Sequence, residues 1–452
     1  MNEAKVSLVE LDPLTGTKEF MEGNFQRHEE DVAAIKEALR EVIKQAQGDL
    51  DNLVKTGDRV LIKPNLAFQA PPESHSVVDP RVIEALVSLL KEESKAGEVW
   101  VGDNPSLGKQ VGRADVAFDT SGMKAAAERG GADKVIFFDE ESTIKVQMPM
   151  AKVFKEAEVF SPIFAADVVI NLPKMKTHLA GTVTLGLKNW QGIIPNCHPS
   201  GQQQGAHRIG LAQKIADLYR IKKADLTIVD GIIGMEGQGP HAGTPIEMNL
   251  LIAGEDTVAV DAVTSYVMGH DPEEVPSTKI AHSEGMGEMD LEKIELVGAD
   301  PDQLKTHFKR PIQNPVGSTY GVDVLIQQTC PGCYLYIRGA LDGFRGEVDN
   351  LEKFVEQNGE SVIIAGGVPA LDPSFVEDKN LFLAGDCWKY FDSADRVKKA
   401  KEKAKRVFEY PGCAPVYVFA QINEDLQSLN EEELNKPNLG QRITPLAFEN
   451  SF

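Results

Sequence analysis

The chain has 452 residues, 47 of them Lys or Arg and 69 Asp or Glu, giving a formal charge of −22 at pH 7, and it contains five cysteines. At about 150 residues per domain this length predicts two or three domains with ample room for a buried core. The charge argues against nucleic acid or an anionic membrane as a partner of the surface as a whole, because either would be repelled.

Few cysteines, odd in number, do not suggest a disulfide scaffold. No run approaches about 18 uninterrupted apolar residues, and the mixed, acidic start lacks the basic and apolar blocks of a signal peptide, so a cytoplasmic protein is expected.

In chain order, residues 59–62, 98–101, 167–170 and 226–229 are short β-branched runs. Each ends in Gly, Pro, Asn or Asp and leads into a helical pattern, such as Val82, Ile83, Leu86, Val87, Leu89 and Leu90. This alternation predicts an α/β fold whose mostly parallel sheet is covered by helices. Such sheets carry their functional groups at the carboxyl ends of the strands. Lys63, Asn65, Asp103, Asn104, Asn171 and Asp230 therefore become candidates for one crevice, with ordinary turn formation as the alternative.

The pattern breaks near residues 308–322, at Pro311, Asn314-Pro315 and Gly317. A second series follows, with strands expected at 322–327, 361–365 and 381–384 and a charged helix from about Ala394 to Phe408. The expected division is a main α/β domain over 1–310, a C-terminal α/β domain over 311–425 and an acidic tail over 426–452.

Four cysteines fall in the second domain, as Cys330-Pro-Gly-Cys333, Gly385-Asp-Cys387 and Pro411-Gly-Cys413. Two of these three clusters follow an expected strand directly, which would bring them to one sheet edge. Four converging thiolates hold either a tetrahedral zinc ion or an iron-sulfur cluster. One close pair followed by two isolated cysteines, 54 and 26 residues further on, is unlike the two close pairs of most zinc sites. The order resembles the proximal [4Fe-4S] site of nickel-iron hydrogenase small subunits and the related complex I subunit, departing at Ala414, where that pattern has proline. The resemblance implies a [4Fe-4S] cluster on Cys330, Cys333, Cys387 and Cys413, on a flavodoxin-like sheet. Zinc, a redox dithiol at Cys330/Cys333 and simple packing remain alternatives. Cys197 stands next to His198, but adjacent side chains of an extended segment point opposite ways, which weakens a nucleophilic pair.

Residues 168–216 contain no Asp or Glu, where the chain-wide frequency of 69 in 452 would supply about 7. Lys174, Lys176, His178, Lys188, His198, His207, Arg208 and Lys214 lie within this stretch. We read it as a local positive field for an anionic ligand, the bland reading being a basic edge strand with a glycine-rich turn. Lys174, Lys176 and His178 alternate and so share one side of an extended segment. Thr182 and the neighbouring glycines allow backbone N–H groups to approach an anion, and Lys188 and Asn189 add donors. A following loop, Asp230 to His241, offers Asp230 and Glu236 as general bases facing the lysines. There is no P-loop, no dinucleotide fingerprint, no His-Glu-x-x-His and no Gly-x-Ser-x-Gly.

The residues Lys63-Pro-Asn65, Gly102-Asp-Asn104, the Pro173 to Gly192 block, Val229-Asp-Gly231 and Gly254-Glu-Asp256-x4-Asp261 resemble the family catalogued as domain of unknown function 362, over roughly residues 55–300. Members are often described as iron-sulfur proteins, many with a separate ferredoxin-type insert that this chain lacks. The block from His178 through Gly181 to Lys188 is more distantly similar to a region of nickel-pincer lactate racemases.

The expected function is an oxidoreductase whose cluster exchanges electrons with a small carboxylate or phosphate substrate. His178 or Asp230 would move the proton, and Lys176 or Lys188 would stabilise negative charge. The alternatives are an isomerase or racemase of a small 2-hydroxy acid with a structural metal site, and an electron-transfer or metal-delivery protein. Self-association is left open.

Overall fold

The computed structural model describes residues 4–66, 69–105, 113–153, 155–195, 210–240, 242–311, 322–327, 337, 355–356, 359–368, 371–390 and 394–410. The chain divides into two compact units, Met1–Pro311 and Ile312–Phe452.

The strands of the first unit are β1 (Ala4–Glu10), β2 (Arg59–Pro64), β3 (Glu98–Asp103), β4 (Lys134–Phe137), β5 (Thr143–Gln147), β6 (Glu156–Phe160), β7 (Val168–Leu172), β8 (Lys174–His178), β9 (Thr182–Thr184), β10 (Leu226–Gln238), β11 (Ala242–Gly254) and β12 (Ile294–Gly298). One sheet runs β12-β1-β11-β10-β7-β2-β3-β4, with β8 beside β10 and β9 beside β8, while β5 and β6 pair with each other. From β10 to β4 every neighbour is parallel; β11 runs antiparallel to β10 and β1.

The helices that position the site are α1 (Glu29–Gln47), α2 (Pro80–Glu93), α3 (Gly186–Asn189), α4 (Leu211–Tyr219) and α5 (Thr257–Val267). Helix α2 starts where the sequence offers Asp79 as a cap, accepting from the Arg81 N–H, and Pro80 in the first turn. On one face of the sheet Ile35, Leu39, Leu86 and Leu90 of α1 and α2 pack with Val60, Ile62 and Val101. On the other, Ile215 and Tyr219 of α4 and Val260 of α5 join Leu61, Val169 and Val229. Alternate residues of β2 thus enter different cores, as burial on both faces of a parallel sheet requires.

Two expectations change here. Residues 230–238 are not a loop, because β10 continues through them and pairs with β11 as far as Gln238↔Ala242, across an irregularity between Gly231 and Ile233. Backbone pairing with β11 carries this glycine-rich segment despite its weak strand propensity.

In the second unit, β13 (Val322–Gln327), β14 (Ser361–Gly366), β15 (Asn380–Ala384) and β16 (Arg406–Tyr410) form a parallel sheet in that order. The helix expected to reach Phe408 is α6 (Ala394–Lys403), and Arg406–Tyr410 is a strand instead. Val407, Phe408 and Tyr410 favour the pleated surface, where Phe408 stacks on Phe382 with ring centroids 4.5 Å apart. Among the described residues no helix is long and apolar enough to cross a membrane.

Candidate functional site

Because β2, β3 and β7 are parallel, their carboxyl ends finish at one edge. Lys63 of β2 is in register with Asn171 of β7. Its Nζ lies 2.7 Å from Asp103 Oδ1 and donates to the Asn189 carbonyl at 2.7 Å. Both side chains are buried, and loss of water pulls the Lys63 amine below its usual range and lifts the Asp103 carboxyl above its own. A Cβ at Gly192 would stand 2.3 Å from Asp103 Oδ1 and 2.9 Å from Lys63 Nζ, so only glycine lets the chain cover this pair.

A chain of amides continues from it. Asn65 Nδ2 donates to Asn189 Oδ1 at 3.2 Å, Asn189 Nδ2 to Asn171 Oδ1 at 2.8 Å, and Asn171 Nδ2 to the Gly186 carbonyl at 3.1 Å. At the other end of α3, Asp261 of α5 accepts from the Gly186 and Leu187 N–H groups at 2.7 and 2.9 Å. Burial nevertheless lifts the Asp261 carboxyl to about 7. A Cβ at Gly186 would meet Thr257 Cγ2 at 2.6 Å, so this approach also needs glycine.

Helix α3 has four residues, too few to be stable alone, and is held by these contacts and by burial of Leu187 in the core. Asn65, Asn171 and Asn189, expected as substrate ligands, are engaged in positioning it, and Asn104 Nδ2 makes a long contact of 3.5 Å to the Ile194 carbonyl.

Pro173 cannot donate to a sheet ladder, so the strand breaks there and resumes as β8, where β10 pairs with it instead of β7. The expected alternation holds: Met175 enters the core, while Lys174 and Lys176 share the other side. Lys174 Nζ meets Asp230 Oδ2 at 2.8 Å. That carboxylate also accepts from the Asp79 and Ile232 N–H groups at 2.8 and 3.2 Å, so Asp230 is fully engaged. Among the described residues Lys176 donates only to the Ser76 carbonyl.

In the β8–β9 hairpin, half-buried His178 pairs with Thr182, and its Nδ1 accepts from the Ala180 and Gly181 N–H groups at 3.0 and 3.1 Å. A neutral His178 ring therefore carries its proton on Nε2. Thr182 has φ 67°, rare for a β-branched residue, and its hydroxyl donates to the Glu274 carbonyl at 3.3 Å, away from any ligand role. Lys188 Cδ and His178 Nδ1 both lie 3.7 Å from where a Gly181 Cβ would stand, so Lys188 reaches this turn.

The result is a surplus of positive charge. Burial and the charges of Lys188 and Lys174 hold Lys176 well below the ordinary lysine range. Desolvation lowers half-buried Lys188 to about 8. Lys214 of α4, fully buried and with no hydrogen-bond partner at Nζ among the described residues, is lowered to about 7 by burial and by Lys188. None of the three meets a carboxylate among the described residues. Glu236 does not face them: its carboxylate accepts from the Lys309 N–H at 2.9 Å and pairs with Lys309 Nζ at 2.7 Å. Amines that titrate near neutrality beside a ligand can both grip an anion and exchange a proton.

Sequence reasoning counted Lys214 in the acid-free stretch without choosing it, and it quoted Asp261 only within a motif. The available signal was that Asp261 is the one charged residue in the otherwise uncharged helical run Thr257–Val267, which Asp256 caps. Cys197, His198, His207, Arg208, Cys330, Cys333 and Cys413 lie outside the described residues. Cys387 is half-buried just after β15. Among the described residues no group of His, Cys, Asp or Glu is arranged to hold a metal ion.

Comparison with known proteins adds the following. The family model described as "Domain of unknown function (DUF362)" matches residues 60–266, which include every lysine of the cluster. A protein of Synechocystis sp. named as thylakoid-associated is 32% identical over 239 residues, covering 51% of this chain and 69% of that protein. A crystal structure of a Thermotoga maritima protein aligns with a TM-score of 0.36 at 11% identity, covering 94% of this chain and 95% of that one. The lactate racemase apoprotein from Thermoanaerobacterium thermosaccharolyticum aligns with a TM-score of 0.35 at 9% identity, covering 93% and 86%. Likeness at these scores carries no argument about activity.

Proposed function

We propose, for a chain that belongs to the family described as domain of unknown function 362, that it is an enzyme acting on a small anionic substrate gripped by Lys176, Lys188 and Lys214. One observation carries the reading: three lysines, two of them fully covered, stand together without a carboxylate among the described residues. Buried charge left unanswered by the protein is costly, and a bound anion is the simplest answer to it.

Lys188 reaches solvent and the His178 turn, so it or His178 would move a proton at a carbon next to the substrate's acid group. That is the step of an isomerase or racemase, including one for a 2-hydroxy acid. The test is to raise the melting temperature with small carboxylates and phosphate esters at about 10 mM and to follow deuterium uptake by the binders in D2O. A binder whose C–H exchange is lost in Lys188→Ala supports the reading. Exchange that survives in Lys188→Ala overturns the role of that lysine, and stabilisation by no anion overturns the reading itself.

A redox role for the second unit has its own supporting observation. Cys330, Cys387 and Cys413 each follow the last residue of a strand, Gln327, Ala384 and Tyr410, by three positions, and these strands are parallel members of one sheet. Thiol donors beyond the carboxyl ends of parallel strands suit a [4Fe-4S] cluster, with zinc the alternative. With Cys333 they would hold it, and the cluster would supply one-electron transfer. Protein purified without oxygen should contain iron and acid-labile sulfide, both diminished in Cys387→Ser; zinc alone, or neither, would rule the cluster out. A cytoplasmic location belongs to this proposal, and the name of the Synechocystis relative makes membrane fractions the place to check it.

A further inference from the structure

We propose that the lysine cluster takes a tetrahedral group carrying two negative charges, a phosphate monoester by chemistry, and that the protein takes up protons from solvent as this group binds. The inference rests on the reading of the cluster as a substrate site.

Charge decides the valence of the ligand. Lys63 and Lys174 each meet an aspartate, at 2.7 and 2.8 Å, whereas Lys176, Lys188 and Lys214 meet none among the described residues. The acids on the elements packed around them are engaged elsewhere. Asp230 of β10 holds Lys174 and two backbone N–H groups, and Glu236 of β10 holds Lys309. Asp261 of α5 accepts from the backbone of α3, and Asp256 caps its own helix. Asp217 of α4 accepts from the Lys152 and Val153 N–H groups and from Gln213. On the helix Pro276–Ser283, Lys279 pairs with Glu273, and His282 Nδ1 stands 3.0 Å from the Gly287 carbonyl. His178 turns Nδ1 to its own hairpin. One negative charge would therefore answer only one of three amines, and a dianion answers two.

Shape points the same way. The three stems come from β8, α3 and α4, three separate elements, and end in point charges suited to oxygens on several sides of a tetrahedron. Among the described residues, two planar forks that would suit a carboxylate are occupied: Arg81 is held by Asp79 and Asp31, and Arg220 by Glu284. Left to themselves the amines repel one another and lack water, which is why Lys214 releases its proton at about 7 and Lys188 at about 8. A dianion among them restores the ammonium forms, each added proton coming from solvent and no bond being made or broken in the ligand.

Sulfate is the clean probe, since it is a tetrahedral dianion that does not titrate near neutrality. Titration calorimetry at about pH 7.5 in two buffers of different ionisation enthalpy reads the protons exchanged, and malonate and acetate serve as a planar dianion and a monoanion. The expected result is binding in the order sulfate, malonate, acetate, with heats that differ between buffers in the sense of proton uptake. The affinity for sulfate should fall at least about tenfold on going to about pH 9.5, and Lys214→Met should lower both the affinity and the uptake. Sulfate binding with equal heats in both buffers, or no tighter than malonate or acetate, overturns the inference and leaves the anion site standing. Binding of none of the three at about 10 mM overturns the site reading itself.

Discussion

Lys63 and Lys214 are equally buried lysines of the same unit, built in opposite ways. Around Lys63 the protein answers the charge completely: an aspartate from the next strand, the carbonyl that ends α3, and a glycine that lets the chain close over the pair. Around Lys214 the described residues supply neither a carboxylate nor a hydrogen-bond acceptor for Nζ, and the charge that bears on it is that of Lys188. A fold selected for stability alone would replace such an amine with an apolar side chain. The contrast separates lysines that hold the sheet edge together from lysines kept for something the protein binds.

Breaking the first region should have the largest effect. Asp103→Asn leaves the Lys63 amine facing a neutral amide, and urea denaturation should show a loss of about 3–5 kcal/mol. A loss under about 1 kcal/mol would mean the pair does not hold the edge. Asp261→Ala strands two buried N–H groups and frees α3, for a loss of about 2 kcal/mol. Because Lys188 rides on α3, sulfate affinity should fall as well; unchanged affinity would separate α3 from the site.

Lys214→Met should instead stabilise the protein, by about 1 kcal/mol and so a few degrees in melting temperature. The sign of its pH dependence follows from the protons bound. The unfolded amine keeps its proton up to 10.5 and the folded one only to about 7, so between these values the unfolded state holds more protons and the wild type gains stability as pH rises. The advantage of Lys214→Met is therefore largest at and below about pH 7 and vanishes toward 10.5. An advantage that grows with pH would refute the lowered amine. The smallest effect belongs to Glu236→Gln, which removes the ion pair to exposed Lys309 while leaving an amide oxygen able to accept from the Lys309 N–H, and should cost under about 1 kcal/mol with sulfate binding intact.

The gap between sequence and structure follows the same division. The strand-end residues Lys63, Asp103 and Asn171 lie together at the carboxyl edge, because a parallel sheet leaves them no other destination, and Asn189 of the basic block joins them there. Their partners were not legible. Asn65, Asn171 and Asn189 look like ligand donors in a sequence, yet they bind one another and α3 across gaps of 15 to 124 residues.

What the sequence determined by itself was local: the alternation that makes the α/β sheet, the acid-free run that concentrates charge, and the placing of Lys174 and Lys176 on one side of β8. Only the tertiary structure decided which lysines are answered. That depends on whether β3 or β10 brings an aspartate to them, and Asp103 and Asp230 both come from outside the acid-free run.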